Sequence, residues 1–152
     1  TKVVDINLRP PYYEKELVEK LLHSADILKL NEHELSLIAS WFSDCSTAQE
    51  QTAILQDRFS IPTIIVTQGG SGAMACHNGS IYSHPGFAIN VADTIGSGDA
   101  FLAAFLAQSH EGASIEKRLH AANSLGAFIA SKEGACPAYD LPLSPLGELQ
   151  PE

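Results

Sequence analysis

Apolar residues along the chain follow two rhythms, and the switch between them outlines the elements. The runs KVVDI (Lys2 to Ile6), DILKL (Asp26 to Leu30) and IPTIIVT (Ile61 to Thr67) are short, dense and largely β-branched, the pattern of buried strands. Between them, apolar residues recur every three or four positions. In EKELVEKLLHSA, Leu17, Leu21 and Leu22 share a face and leave Glu14, Lys15 and Glu19 in water. NEHELSLIASWF repeats this through Leu35, Ile38, Ala39 and Phe42, with Asn31 placed to cap the helix, and TAQEQTAILQDRF gives a third helix. The resulting order, β-α-β-α-α-β, is that of a parallel sheet covered by helices. Residues Gln68 to Gly86 then change style. Glycine-rich turns and the Asn78-Gly79 pair separate short strand-like pieces, which predicts an antiparallel edge. Two Ala- and Leu-rich helices follow, Asp99 to Ser109 and Ile115 to Ser131, and the Pro-rich stretch from about 140 to 152 reads as irregular.

Asn7 to Pro11 forms a loop at the end of the first strand, since the Pro pair stops both helix and central strand. With 152 residues the chain supports one core of ordinary size and is expected to form a single unit. Because KVVDI begins almost at residue 1, the chain reads as a piece of a longer one.

Charge narrows the partners. A formal net charge of -9 argues against a nucleic-acid or anionic-membrane surface, which needs clustered Lys and Arg, and favours a small-molecule ligand. Cys45, Cys76 and Cys136 form no CxxC pair, so they read as reduced thiols. Without a membrane-length apolar run or a signal-like head, the expectation is a cytoplasmic protein.

Several motifs fail on context. GSGDAF lacks the third glycine of a dinucleotide fingerprint, and GGSG at 69 to 72 has no Lys-Ser/Thr behind it to make a P-loop. Ser71 is no nucleophile elbow, because AMACHNGSIY is not a helix. His33-Glu34 lacks the second histidine of a zinc helix, and Cys76, His77 and His84 are too sparse for a zinc site. DTIGSGD at 93 to 99 is different. A helix starting near Gly98 leaves its first N-H groups unpaired, so Gly96, Ser97 and Gly98 offer donors to an anion while Asp99 sits beside them as a base. The plain alternative is a capped turn, with Asp93 or Asp99 as the cap.

Asp93 to Phe101 resemble the D-T-x-G-A/S-G-D-x-F signature of the ribokinase-like (pfkB) carbohydrate kinases. Asn31 to Glu34 are similar to the family's N-x-x-E element, Val66 to Ala73 to its V-T-x-G-x-x-G-A turn, and Asn123 with Gly134-Ala135 to its last helix and the turn beyond. The resemblance implies a three-layer αβα fold and ATP-dependent phosphorylation of a sugar hydroxyl. Asp99 would be the base, and the amides of Gly96, Ser97 and Gly98 would hold the transferring phosphoryl. It further implies that Asn31 and Glu34 organise Mg2+ and phosphate, Glu34 through water, that Thr67, Gly69, Gly70, Gly72 and Ala73 line the nucleotide, and that Asn123 approaches adenine or ribose. Asp93, Ile95, Ile129, Lys132, Gly134 and Ala138 match the positions of a monovalent cation site, K+ in this reading; Ala138 stands where some members have Ser. DINLRPP is similar to the D-x-N-x-R-P stretch of fructokinases and 2-keto-3-deoxygluconate kinases, which implies that Asn7 and Arg9 reach phosphate or substrate. Local pairing of Arg9 with an acid of the next helix is the alternative.

The family's N-terminal half, with the lid and sugar-holding elements, is not among these residues. The resemblance therefore implies the C-terminal, ATP-binding half of a sugar kinase, with one sheet edge and an apolar face exposed, little activity of its own and association into a homodimer as one outcome. The alternative is a non-catalytic nucleotide-binding or interaction module derived from the same fold.

Overall fold

The computed structural model describes residues 1–134; Ala135, Cys136, Ala138 and the Pro-rich stretch lie outside the described residues. The elements run β1 (Val3–Asp5), α1 (Lys15–Ser24), β2 (Ile27–Asn31), α2 (Glu32–Ser40), α3 (Ala48–Phe59), β3 (Thr63–Thr67), β4 (Ala73–His77), β5 (Ser80–His84), α4 (Ser97–His110) and α5 (Ile115–Ala130). The five strands form one sheet in the order of the chain. β1 pairs with β2 and β2 with β3 in parallel, Val4 opposite Leu28 and Leu28 opposite Ile64. β4 and β5 are joined only by Asn78 and Gly79, a connection that two antiparallel strands can make and two parallel strands cannot. Both residues have positive φ, 48° and 80°, as the tight hairpin turn requires. The sheet is therefore mixed, with the antiparallel edge on the side the glycine-rich stretch predicts.

The chain divides into two compact units. Among the described residues, the first comprises Thr1–Gln68 with Met74–Tyr82, and the second Gly69–Ala73 with residues 83–134. In the first, Leu28, Leu30, Ile64 and Val66 form one apolar cluster with Val18, Leu22, Leu35, Ile38, Leu55 and Phe59 from α1, α2 and α3. Each of these large side chains contributes about 1.5–3 kcal/mol by leaving water. The α1 face differs from expectation. Val18 and Leu22 are buried, whereas Leu17 and Leu21 are 55% and 42% exposed. The apolar stripe of α1 is wider than its contact, and the Val18–Leu22 row reaches the sheet first.

Helix starts follow the sequence closely. Asn31 and Thr47 each accept from the backbone N-H three residues on, while Glu34 and Glu50 reach back to the cap amides, so α2 and α3 both open with a capping box. In the second unit α4 and α5 pack along one another. Gly126 makes the approach possible, since a Cβ there would lie 3.3 Å from the Ser97 carbonyl and 3.4 Å from the Phe101 Cβ.

Candidate active site

The DTIGSGD segment ends a loop that is tied down on both sides. Ala92 and Asp93 donate their N-H groups to the Ala130 carbonyl at the end of α5, at 2.9 and 3.2 Å. The Asp93 carboxylate then accepts from Ile95 N at 2.9 Å and from Gly134 N at 3.2 Å. Asp93 is therefore the brace of the loop. Gly96, with φ 80°, turns the chain into α4 and occupies the cap position without a side chain.

The helix begins at Ser97, one residue before the expected start near Gly98. The Ser97 N-H lies 3.3 Å from the Thr94 carbonyl and its Oγ donates to the same oxygen at 2.7 Å. Among the described residues, the amides of Gly96, Gly98 and Asp99 meet no acceptor. These free donors sit at the positive end of a 14-residue helix. Asp99 lies in the first turn of α4 and is exposed. A bare helix start thus carries an acceptor carboxylate on its own first turn, and neither Asp93 nor Asp99 caps the helix.

The other site residues of the second unit fall around the glycine turn and on α5. Gly69 to Ser71 form a single 3-10 turn followed by β4, so Ser71 has a strand behind it and no helix. Gly72 has φ 87°, and a Cβ on it would stand 2.0 Å from the His84 carbonyl oxygen and 2.4 Å from Gly86 N. Only glycine fits there. Ala73 is buried at the start of β4. Asn123 lies in the middle of α5; it is buried and its amide donates to the Leu119 carbonyl at 2.8 Å. Ile129 is buried and Ile95 is exposed. The Ile129 carbonyl accepts from Lys132 N at 2.9 Å, and the Lys132 ammonium stands 5.1 Å from the Phe128 ring centre.

In the first unit the loop after β1 is fastened to the cap of α2 by one side chain. Glu34, 6% exposed, accepts from Leu8 N at 2.8 Å through one carboxylate oxygen and from Asn31 N at 2.9 Å through the other. Asn31 Oδ1 accepts from Glu34 N at 2.8 Å. Asn7, in the loop so held, is exposed and has φ 47°, a left-handed conformation that Asn tolerates better than most residues. The Arg9 guanidinium is exposed and pairs with no acid of α1 or any other described residue. Thr67 ends β3 with its hydroxyl 3.3 Å from the Leu30 carbonyl. Beneath the loop, Lys29 Nζ donates to Asp5 at 2.8 Å, a nearly buried pair between β1 and β2 that the run pattern alone does not disclose. The long-range bond from Leu8 to Glu34 likewise has no signal in local sequence.

The family model for pfkB family carbohydrate kinases matches residues 1–141. The chain belongs to that family. It is similar to a 2-dehydro-3-deoxygalactonokinase of Haloferax volcanii, 32% identical over 78% of this chain and 38% of the relative. An Escherichia coli fructokinase is 30% identical over 88% of this chain and 46% of its own length. Among solved structures, a Vibrio cholerae fructokinase bound to fructose, ADP and calcium ion superposes on 88% of this chain and 45% of its own, with TM-score 0.75 and 28% identity. A Thermotoga maritima ribokinase at 22% identity shares the fold, with TM-score 0.75. The pfkB chain described here thus spans less than half the length of these relatives. No helix of its described residues is long and apolar enough to cross a membrane.

Proposed function

We propose that this pfkB chain carries the ATP site and catalytic base of a sugar kinase whose acceptor is fructose, a related sugar or a keto-sugar acid. The observation that carries the reading is the start of α4, where amides unpaired among the described residues and the Asp99 carboxylate share one helical turn. Phosphoryl transfer asks little covalent chemistry of a protein; it needs a positioned acceptor hydroxyl and donors aimed at the charge of the transferring group. Asp99 takes the proton from the sugar hydroxyl. The hydroxyl oxygen forms its bond to the γ-phosphorus as the bond from that phosphorus to the β-γ bridging oxygen breaks, and ADP leaves with the electron pair. The amides of Gly96, Ser97 and Gly98 stabilise the phosphoryl oxygens, with Ser97 turning from the long contact it makes to Thr94.

Mg2+ would neutralise phosphate charge. Glu34 and Asn31 would serve it through water, with both Glu34 oxygens and Asn31 Oδ1 each also accepting a backbone N-H group. Gly69, Gly70, Gly72, Ala73, Thr67 and Asn123 serve the nucleotide, and Asn7 and Arg9 serve phosphate or sugar. Arg9 is suited to that role by a guanidinium that is unpaired among the described residues. A monovalent cation, K+ in this reading, would border Asp93, Ile95, Ile129, Lys132 and Gly134, with Asp93 as brace. Because the matched relatives are more than twice as long, the 152 residues alone are expected to turn over little sugar.

The test is ADP release by a protein that carries this chain in a kinase fold of the relatives' length, offered fructose, ribose, 2-keto-3-deoxygluconate and nucleosides. A folded protein that binds ATP and turns over none of them refutes the reading and leaves a nucleotide-binding module. Asp99→Asn should lower kcat by roughly 10²- to 10⁴-fold and leave ATP affinity near its original value. Retention of most of the rate would remove Asp99 from the base role.

A further inference from the structure

His84, at the end of β5, and His120, on α5, meet in the second unit with His84 Nε2 3.2 Å from His120 Nδ1. Phe87, buried, completes a three-ring cluster, its centroid 5.1 Å from His84 and 5.4 Å from His120. The backbone fixes the protons of this pair. Gly86 N donates to His84 Nδ1 at 3.1 Å, and an amide N-H can only donate, so Nδ1 is bare and the neutral ring carries its proton on Nε2. That proton points at His120 Nδ1, which is then the acceptor, and the neutral His120 carries its own proton on Nε2. No nitrogen of the pair is left open. A further proton has to displace either the Gly86 bond or the bond between the rings.

The same backbone supports the glycine turn. Gly86 lies against Gly72, such that a Cβ on Gly86 would stand 3.0 Å from Gly72 Cα and 3.1 Å from the Gly70 carbonyl oxygen. His84, Pro85 and Gly86 in turn fill the space above Gly72. Whatever releases Gly86 from His84 loosens the floor of residues 69–72.

We propose that the His84–His120 pair is a proton-sensitive positioning element for the Gly69–Gly72 turn, holding it in the nucleotide-binding arrangement when both rings are neutral and releasing it when His84 takes a proton at Nδ1 and gives up the Gly86 bond. The nucleotide part rests on the kinase reading above; the coupling between His84 and Gly72 does not. Burial and, to a lesser extent, the neighbouring His120 charge both push the His84 titration below its ordinary value, in keeping with a His84 ring that resists protonation. The other groups at the pair are few. Glu116 and Lys117 of α5 line the same cavity with opposite charges, and α4 contributes only the neutral Gln108 amide, itself bonded to Glu111 at 2.9 Å. The titratable groups of β4 are committed elsewhere, Cys76 to Gln56 and His77 to Thr63.

The experiment follows the amide resonances of Gly72 and Gly86 and the ring resonances of His84 and His120 from pH 8 to 5, with ATP affinity measured alongside. Both glycine amides should shift with the His84 titration, and affinity should fall on the order of fivefold beyond the ligand's own protonation. His84→Asn supplies the reference, because Asn Oδ1 can accept from Gly86 N but does not titrate. It should bind ATP like the parent at pH 8 and lose the excess pH dependence. If that variant does not fold, His120→Phe serves, and its His84 should titrate closer to the ordinary value. Glycine amides that stay still while His84 titrates, or a His84→Asn protein that keeps the excess pH dependence, overturn the proposal. ATP that leaves residues 69–73 unmoved at every pH refutes the nucleotide reading of the turn, while the amide shifts still decide the coupling.

Discussion

Glu34 spends both carboxylate oxygens on backbone amides 26 and 3 residues away, so its stability role is separable from any role toward a metal. Glu34→Gln keeps one acceptor oxygen and turns an NH2 group toward the other amide. A buried donor left facing a donor costs about 1–3 kcal/mol, which urea unfolding should show as a lower midpoint. An unchanged midpoint would mean that the Leu8 and Asn31 bonds are not held in solution. Gly72 makes a second residue-scale case. Alanine there suffers both the left-handed backbone, about 1–3 kcal/mol, and a Cβ driven into the His84 and Gly86 backbone. Gly70→Ala is the control, since its Cβ meets nothing within 4 Å, and it should stay within about 0.5 kcal/mol of the parent. Equal losses from the two would sink the packing argument for Gly72.

At the scale of elements, the α4–α5 packing decides how the candidate anion site is presented. Gly126→Val places branched carbons against the Ser97 carbonyl and the Phe101 side chain and has to push α4 away by its first turn. Overpacking of this kind costs about 1–3 kcal/mol, and anion affinity at the α4 start should fall with it. Gly126→Ala, at 3.3–3.4 Å, should fall well short of that, and a valine variant with the parent's unfolding midpoint would refute the close approach. The elements themselves were legible because their signals are local. The parallel strands are dense apolar runs, Asn31 and Glu34 sit three apart as a capping box needs, and Asn78-Gly79 makes its own turn. Around the candidate site, the place of Asp99 in the first turn was also readable from DTIGSGD, whereas the cap falls on Gly96 and not on Asp93 or Asp99. What escaped the sequence is non-local. Nothing near Leu8 announces Glu34, nothing near His84 announces His120, and the choice of Val18 over Leu17 on α1 is made by the sheet it meets.

For the whole molecule, acid acts through opposing effects whose balance is testable. The chain carries 18 acidic against 9 basic side chains, so falling pH first relieves repulsion among excess carboxylates and favours the compact state. His84 works the other way. Its titration is depressed in the fold, so between its folded value and its ordinary 6.5 the unfolded chain binds the proton and the folded chain does not. Stability from this group is complete above pH 6.5 and is lost as pH falls below it. Glu50 and Glu116 join lower down. Glu50 is held below 4.5 chiefly by the Thr47 hydroxyl, and Glu116 first by the free amide at its own start of α5 and then by Ser114, so their contributions are present above 4.5 and fade as pH falls through their folded values. From pH 7.5 to 5.5 the urea stability of the parent should therefore fall relative to that of His84→Asn, which keeps the Gly86 bond and drops the titration. A parent whose stability follows its variant's through that window would show that His84 is not kept neutral by the fold.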